Sequence, residues 1–405
     1  MTARRARMHR RLAALPGVRA VRRPVDGRGD ERFDLYYVRS GPKSAHPLVV
    51  IPGGPGAASV ALYRAFRRHA AAAGLDVIMV EHRGVGLSRH DDAGADLPAE
   101  AITVDAAVDD IAAVLDDAGV ETAVVYGASY GSYLAAGLGV RHPNRIRAMV
   151  LDSPLLSADD IDDVRTRIRR VLWDGAVPGT ADLAAKVRAL VAEGGLDQGD
   201  VQLIADLYGT AGPAVLHRQL DLLLSGHRLL WGAVRVGMQT LLERKTLYHH
   251  EPDLVERIAY RELNYGAEPD GGPLDPAVVL REKASVDVEF VAEPYDLRAA
   301  MPEFGWPTAV LSGGRDLTTP PEVAHRVADL IPHATLVELP TAGHSILDTR
   351  EPAALQVCAA AARDALPQLA GAELDALPPN LSVRLVVKAV TAAARAEALL
   401  APTGS

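Results

Sequence analysis

"TAVVYGASYGSYLAAGLGVRH" runs from Thr122 to His142. Its first residues are small, β-branched or aromatic and read as a buried strand. Its later part, from Ser132, reads as a helix. Between them lies Gly127-Ala128-Ser129-Tyr130-Gly131, a G-x-S-x-G pattern set between strand and helix. The two glycines relieve crowding, so a serine can occupy a sharp elbow and project its hydroxyl. The helix N-terminus behind it favours negative charge. Ser129 is therefore the expected nucleophile.

A serine hydroxyl is a poor nucleophile without a base, and the base needs an orienting acid. Most of the 13 histidines sit in helical stretches or in the middle of the chain, but His344 does not. It lies in "LVELPTAGHSI" (Leu336–Ile346), in a glycine-containing loop just past the last strand candidate. The acid candidate is Asp316 in "AVLSGGRDLTTP" (Ala309–Pro320), again at the carboxyl end of a strand. Asp152, ending "RAMVLD", is the rival acid position. The chain order Ser129, Asp316, His344 is that of an α/β-hydrolase. His344 must be neutral to accept a proton, so activity is expected to rise with pH through about 6.5.

"VVIPGGPGAAS" (Val49–Ser59) ends an apolar run in three glycines and two prolines. Acyl transfer develops a negative oxygen that needs two N–H donors. One is expected from Tyr130, the residue after the nucleophile. The other is expected from Gly53 and Gly54 in this turn. A phosphate-cradling loop is the rival, but no Gly-Lys-Ser/Thr follows. No His-Glu-x-x-His and no Cys/His cluster at metal spacing is present, so no cofactor and no metal is expected. "HRGVGLS" (His82–Ser88) is too short for a dinucleotide fingerprint and is expected to pack beneath the site, with Arg83 in a structural ion pair.

The chain has 405 residues, 48% hydrophobic, with a net charge of −9. That length suffices for one large core with a substantial insertion. The negative balance gives a nucleic-acid partner no electrostatic support. A basic cluster (Arg4, Arg5, Arg7, Arg10, Arg11) opens the chain and is followed by no apolar segment of signal or membrane-span length; it reads as a solvated N-terminus, with weak membrane or nucleic-acid contact as the alternative. No membrane partner is expected. The lone cysteine, Cys358, sits among alanines in a helical pattern and is expected in the core. The lack of disulfides points to a cytoplasmic location.

Two stretches alternate short apolar runs with helical patterns. The first holds "LVVI", "DVIMV", "TAVVY" and "RAMVL"; the second holds "TAVLSGG", "PEVAHRVADLI" and "ATLVEL". Continuous apolar strands between helices imply a mostly parallel sheet covered on both faces. The middle of the chain offers helices and no strand series. The expected organisation is a first core part over 1–154, a helical cap over 155–300, a second core part over 301–373 and a C-terminal helical extension over 374–405.

Together these residues resemble the proline iminopeptidase branch of the α/β-hydrolases, with the related tripeptidyl aminopeptidases. That family carries a His-Gly-Gly-Pro-Gly loop, an Asp-x-Arg-Gly-x-Gly-x-Ser segment, the serine elbow, Gly-x-x-Asp and Gly-His. The matching stretches are Pro52–Gly56, Glu81–Ser88, Gly127–Gly131, Gly313–Asp316 and Gly343-His344. Pro52 stands where the family has histidine, and Glu81 where it has aspartate. The resemblance implies an α/β-hydrolase fold with an inserted helical cap. It also implies cofactor-free cleavage of an N-terminal proline or short peptide through an acyl-enzyme. Family members bind the substrate's free amine through cap glutamates, one in a Glu-Asn-His-Tyr-like stretch. Glu262-Leu-Asn-Tyr265 is similar, with Glu289 and Glu293 as further candidates. A carboxylesterase acting on small esters is the alternative, and a non-catalytic binding protein on the same fold the alternative of another class. Dehalogenases and epoxide hydrolases use an aspartate at the elbow, which disfavours them.

Overall fold

The computed structural model describes residues 2–26, 30–197, 199–242, 245–287 and 289–400, with only the backbone for 238–242. The last five residues of the expected C-terminal extension lie outside the described residues.

Helix α1 (Ala3–Ala13) leads into β1 (Val18–Pro24), β2 (Arg32–Ser40) and β3 (Leu48–Ile51). Next come α2 (Ser59–Leu62), α3 (Arg64–Ala72), β4 (Val77–Val80), α4 (Val104–Asp117), β5 (Ala123–Ala128), α5 (Tyr130–Arg141) and β6 (Ile146–Asp152). Helices alone then follow among the described residues. They are α6 (Asp160–Leu172), α7 (Ala181–Ala192), α8 (Asp200–Ala211), α9 (Pro213–Leu224), α10 (Leu229–Leu242), α11 (Glu256–Arg261), α12 (Pro276–Lys283) and α13 (Leu297–Ala300). The chain returns to β7 (Thr308–Gly313), α14 (Pro321–Leu330), β8 (Ala334–Leu339), α15 (Ile346–Thr349), α16 (Glu351–Ala362), α17 (Gly371–Asp375) and α18 (Leu381–Glu397).

The strands form one eight-stranded sheet in the order β1-β2-β4-β3-β5-β6-β7-β8. Every ladder from β4 to β8 is parallel. The ladders β1–β2 and β2–β4 are antiparallel. All four residues of β3 are buried, because helices cover both faces. Val49 and Ile51 join a core built with α4, α5 and α14. Leu48 and Val50 join the opposite core, built with α3 and α16, which also takes Cys358. Burying each such side chain is worth roughly 1.5–3 kcal/mol, so the two faces together hold the sheet.

β1 and β2 were not among the expected strands. β2 nevertheless carries the signal: Phe33, Leu35 and Tyr37 alternate and are buried. β1 is an arginine-rich edge strand, and charge at an edge discourages pairing with another chain. Arg23 from β1 and Arg83 both pair with Asp110 of α4. Arg83 makes two bonds to that carboxylate, at 2.7 and 2.8 Å, and a third to the Ala101 carbonyl. It is a structural ion-pair residue.

The helices between β6 and β7 have their own core, including Ile168, Val171, Leu183, Val187 and Leu220. Helix α18 packs on this insertion, touching α8, α9 and α10. The buried Glu397 carboxylate accepts the backbone N–H groups of Leu229 and Leu230, at the start of α10. The reading of the N-terminal arginines as solvated needs correction at one residue. Arg5 is buried, while Arg4, Arg7, Arg10 and Arg11 are exposed. No helix among the described residues is long and apolar enough to cross a membrane.

Candidate active site

Ser129 stands on the turn between β5 and α5 with φ 51° and ψ −124°, a region a non-glycine residue seldom adopts. Its neighbours explain how the chain tolerates this. A Cβ on Gly127 would lie 2.2 Å from the Gly131 carbonyl oxygen, and one on Gly131 2.2 Å from that of Ile51. Only glycine fits at either place. The Ser129 N–H donates to the Asp152 carbonyl (2.8 Å), and Ser132 Oγ donates to the Ser129 carbonyl (2.6 Å). The elbow is thus held from the strand side and the helix side.

His344 follows β8, and its Nε2 lies 2.9 Å from Ser129 Oγ. Its Nδ1 lies 2.9 Å from Asp316 Oδ2, in the turn after β7. A carboxylate only accepts, so Nδ1 carries the proton and Nε2 is free to take one. The Asp316 carboxylate also accepts from the Thr318 and Thr319 N–H groups and from Thr319 Oγ1. Burial alone would push this carboxyl up, but His344 and these donors hold it below its ordinary value. Burial likewise pulls His344 down, yet the Asp316 charge outweighs it and the imidazole is raised above 6.5.

Asp152, the rival acid, makes no bond to His344. It is fully buried at the end of β6 and accepts from Ile346 N–H (3.0 Å), Leu347 N–H (2.8 Å) and Tyr126 O–H (2.9 Å). It anchors the start of α15, two and three residues past His344. Burial raises its carboxyl to about 6, against the pull of those donors.

The Pro52–Gly56 turn runs beside the serine. A Cβ on Gly53 would stand 3.1 Å from Ser129 Cβ, whereas Gly54 faces its own turn at Gly56 and Ala57. Tyr130 begins α5 next to the elbow. Its hydroxyl is 3.0 Å from His82 Nε2, while His82 Nδ1 is 2.6 Å from the Arg83 carbonyl. The carbonyl fixes the proton on Nδ1, so Nε2 accepts from Tyr130. Burial lowers His82 to about 4, which keeps it neutral in that role. The segment was expected beneath the site, but the His82–Tyr130 contact was not foreseen.

Two of the cap candidates hold backbone N–H groups. Glu262 caps α11, and its Oε2 accepts the Val104 N–H at the start of α4 (3.0 Å). Burial raises it to about 7. Glu293 accepts the Ala158 N–H (2.6 Å), and Glu289 is exposed. Two carboxylates that the sequence did not single out stand closer to the acid turn. A cavity of about 120 Å³ lies between the cap helices and the Leu317–Thr319 turn. Its lining includes Ile161, Val164, Ile168, Leu317 and Thr319, together with Asp160. Thr319 Oγ1 is itself 3.2 Å from His344 Nδ1, so the cavity ends beside the relay. Among the described residues Asp160 Oδ1 accepts no hydrogen bond, and Arg326 Nη2 stands 3.8 Å from it. Burial raises Asp160 to about 6. Asp206 is on α8, the helix that packs directly on Gly343, and burial raises it to about 6 as well. Neither could be found by pattern, since an acidic residue on an amphipathic helix reads as solvent-facing until the packing is known.

Sheet order, elbow and insertion together are those of the α/β-hydrolase fold. The sequence pattern of the family described as alpha/beta hydrolase fold matches residues 46–175. Among solved structures, the chain is similar to proline iminopeptidase from Mycobacterium smegmatis at 20% identity and a TM-score of 0.52, over 87% of this chain and 100% of that one. It is also similar to a malate-bound thermophilic esterase from Thermogutta terrifontis at 19% identity and a TM-score of 0.48, over 86% and 99% of the two chains.

Proposed function

We propose that the chain is a serine hydrolase working through an acyl-enzyme, with Ser129, His344 and Asp316 as its catalytic residues. One observation carries the proposal: the continuous relay from Ser129 Oγ to His344 Nε2 and from Nδ1 to Asp316, with both links at 2.9 Å. Ser129 Oγ attacks the substrate carbonyl as its proton passes to His344. The N–H groups of Tyr130 and the Gly53-Gly54 turn stabilise the tetrahedral oxyanion. The imidazolium returns the proton to the leaving group, the acyl-enzyme remains, and water activated by the same histidine releases the acid. Asp316 holds the imidazole's orientation and balances its charge. Ser129→Ala should abolish both turnover and covalent labelling by a fluorophosphonate. Labelling at another serine, with Ser129→Ala fully active, would refute the assignment.

The substrate reading is an aminopeptidase of proline iminopeptidase type. It is supported by the motif set and by the half-buried cap carboxylates Glu262, Asp160 and Asp206, which suit a cationic amine better than a neutral ester. A carboxylesterase is the second reading, favoured by the mostly apolar lining of the cavity. Proline and tripeptide anilides, with free and acetylated N-termini, should be compared with p-nitrophenyl esters. Turnover of any of them also excludes a purely binding role.

A further inference from the structure

Arg5 lies outside the 46–175 stretch that the family pattern matches, yet it bonds to Glu251 of the insertion, 246 positions further along the chain. Its Nη1 and Nη2 donate to Glu251 Oε1 and Oε2 at 2.8 and 2.7 Å. Nη2 also donates to the Gly86 carbonyl (3.1 Å), and the guanidinium lies over the Tyr248 ring at 4.9 Å. The Tyr248 hydroxyl donates back to the Arg5 carbonyl (3.0 Å). Glu251 is fully buried, also accepts the N–H groups of Tyr248 (3.0 Å) and Gly86 (3.1 Å), and has Arg89 Nη1 3.8 Å from Oε2. Both partners are desolvated and bidentate, the arrangement in which an ion pair fixes geometry most strongly.

What the pair fixes is the far side of the Pro52–Ala58 loop. The Glu251 N–H donates to the Gly56 carbonyl (2.9 Å), and the Ala58 N–H donates to the His249 carbonyl (2.9 Å). Ala57 and His250 form an isolated antiparallel bridge. A Cβ on Gly56 would stand 2.9 Å from Pro252 Cα, so the two segments are in close contact. The buried Glu81 holds the same loop from below by accepting the Val60 N–H (2.8 Å), just beyond it. The other end of the loop, at Gly53, touches Ser129.

We propose that the buried Arg5–Glu251 pair is a strut that holds the Pro52–Ala58 loop in place beside Ser129, which makes α1 a positioning element for turnover. This rests on the serine-hydrolase reading. Arg5 and Glu251 touch no reacting atom and act through the loop. Their loss should therefore weaken binding of the tetrahedral oxyanion more than binding of the planar ground state.

The test compares trifluoroacetophenone, whose activated ketone adds to a serine as a tetrahedral oxyanion, with acetophenone, which stays planar. In Arg5→Met and Glu251→Gln, affinity for trifluoroacetophenone should fall at least about tenfold, as for a weakened oxyanion site. Affinity for acetophenone should stay within about twofold, and kcat for p-nitrophenyl acetate should fall with little change in KM. Arg5→Lys and Glu251→Asp keep the charges and should lie between these variants and the wild type. They also carry the test if the larger changes prevent folding. Val187→Ala loosens the separate core of the insertion without touching α1, the pair or the loop. It should lower the melting temperature and leave the ratio of the two affinities unchanged. Equal losses for both ketones, or no loss in any Arg5 or Glu251 variant, would overturn the strut. A wild-type chain that neither labels with fluorophosphonate nor turns over an ester would overturn the serine-hydrolase reading, and the strut with it.

Discussion

Asp152 ends β6 and Asp316 lies in the turn after the neighbouring β7, and their hydrogen-bond partners separate their roles. Asp316 faces His344, whereas Asp152 faces the backbone behind it. Asp316→Asn should therefore lower kcat by about 10⁴-fold with little change in melting temperature, because the imidazole loses its tautomer and its counter-charge. Asp152→Asn turns an amide NH₂ toward a buried donor. It should cost about 1–3 kcal/mol of stability and reduce kcat far less. The reverse ranking would move the acid to β6. The same geometry sets the pH dependence. A histidine raised by its carboxylate stays protonated to higher pH, and only the neutral ring can accept the serine proton. The rise of kcat/KM should therefore lie above pH 6.5 rather than at it, and activity is lost as pH falls through that ionisation. In Asp316→Asn the largest upward influence on the ring is lost, while burial and the weaker pull of Asp152 and Asp348 remain, so the ionisation of the residual activity should move down from its wild-type position. That Ser129, Asp316 and His344 stand within hydrogen-bond reach of one another was legible because their setting is written locally, in glycines that the backbone cannot replace and in loops just past strands; their catalytic roles are the proposal. Asp160 and Arg5 were not legible. What distinguishes them is burial, which depends on residues more than a hundred positions away.

The cap helices show the same division at the scale of elements. Their existence was legible from apolar spacing in α6, α7 and α9. Which carboxylate each one turns inward was not, because that depends on how the helices pack. Glu262 combines a structural contact with a candidate role, and a glutamine in its place separates the two. The amide oxygen of that glutamine can still accept the Val104 N–H, so the start of α4 is preserved while the charge is removed. If Glu262 binds a substrate ammonium, Glu262→Gln should lower kcat/KM for free-amine peptides by at least tenfold, about 1.4 kcal/mol, and leave neutral esters unaffected. Asp160→Asn is the parallel measurement for the cavity beside Thr319. A tenfold loss there, with Glu262→Gln silent, would place the amine at α6 instead of α11. Loss on neither would favour the esterase reading.

At the scale of the whole molecule, both ends of the chain return to the insertion. α1 does so through Arg5 and Glu251, and α18 through its packing on α8, α9 and α10. Glu397 accepts two N–H groups at the start of α10, where the helix dipole favours a negative charge. Glu397→Ala should cost about 1–2 kcal/mol and speed proteolysis between α9 and α10, with kcat on small esters preserved. An unchanged proteolysis rate would mean that α18 contributes little to holding the cap. The attachment of α18 also bears on how substrate reaches Ser129. A lid joined to its base only at two chain crossings can swing about the line between them, as a door does on two hinges. A third fixed point off that line removes the axis. In this chain the crossings after β6 and before β7 supply the two hinges, and α18 and the contacts around Glu251 supply fixed points off that line. Entry to the serine should then depend on side chains and short turns giving way at the cap's edge, and spin labels on α8 and α14 should keep one separation with and without ligand.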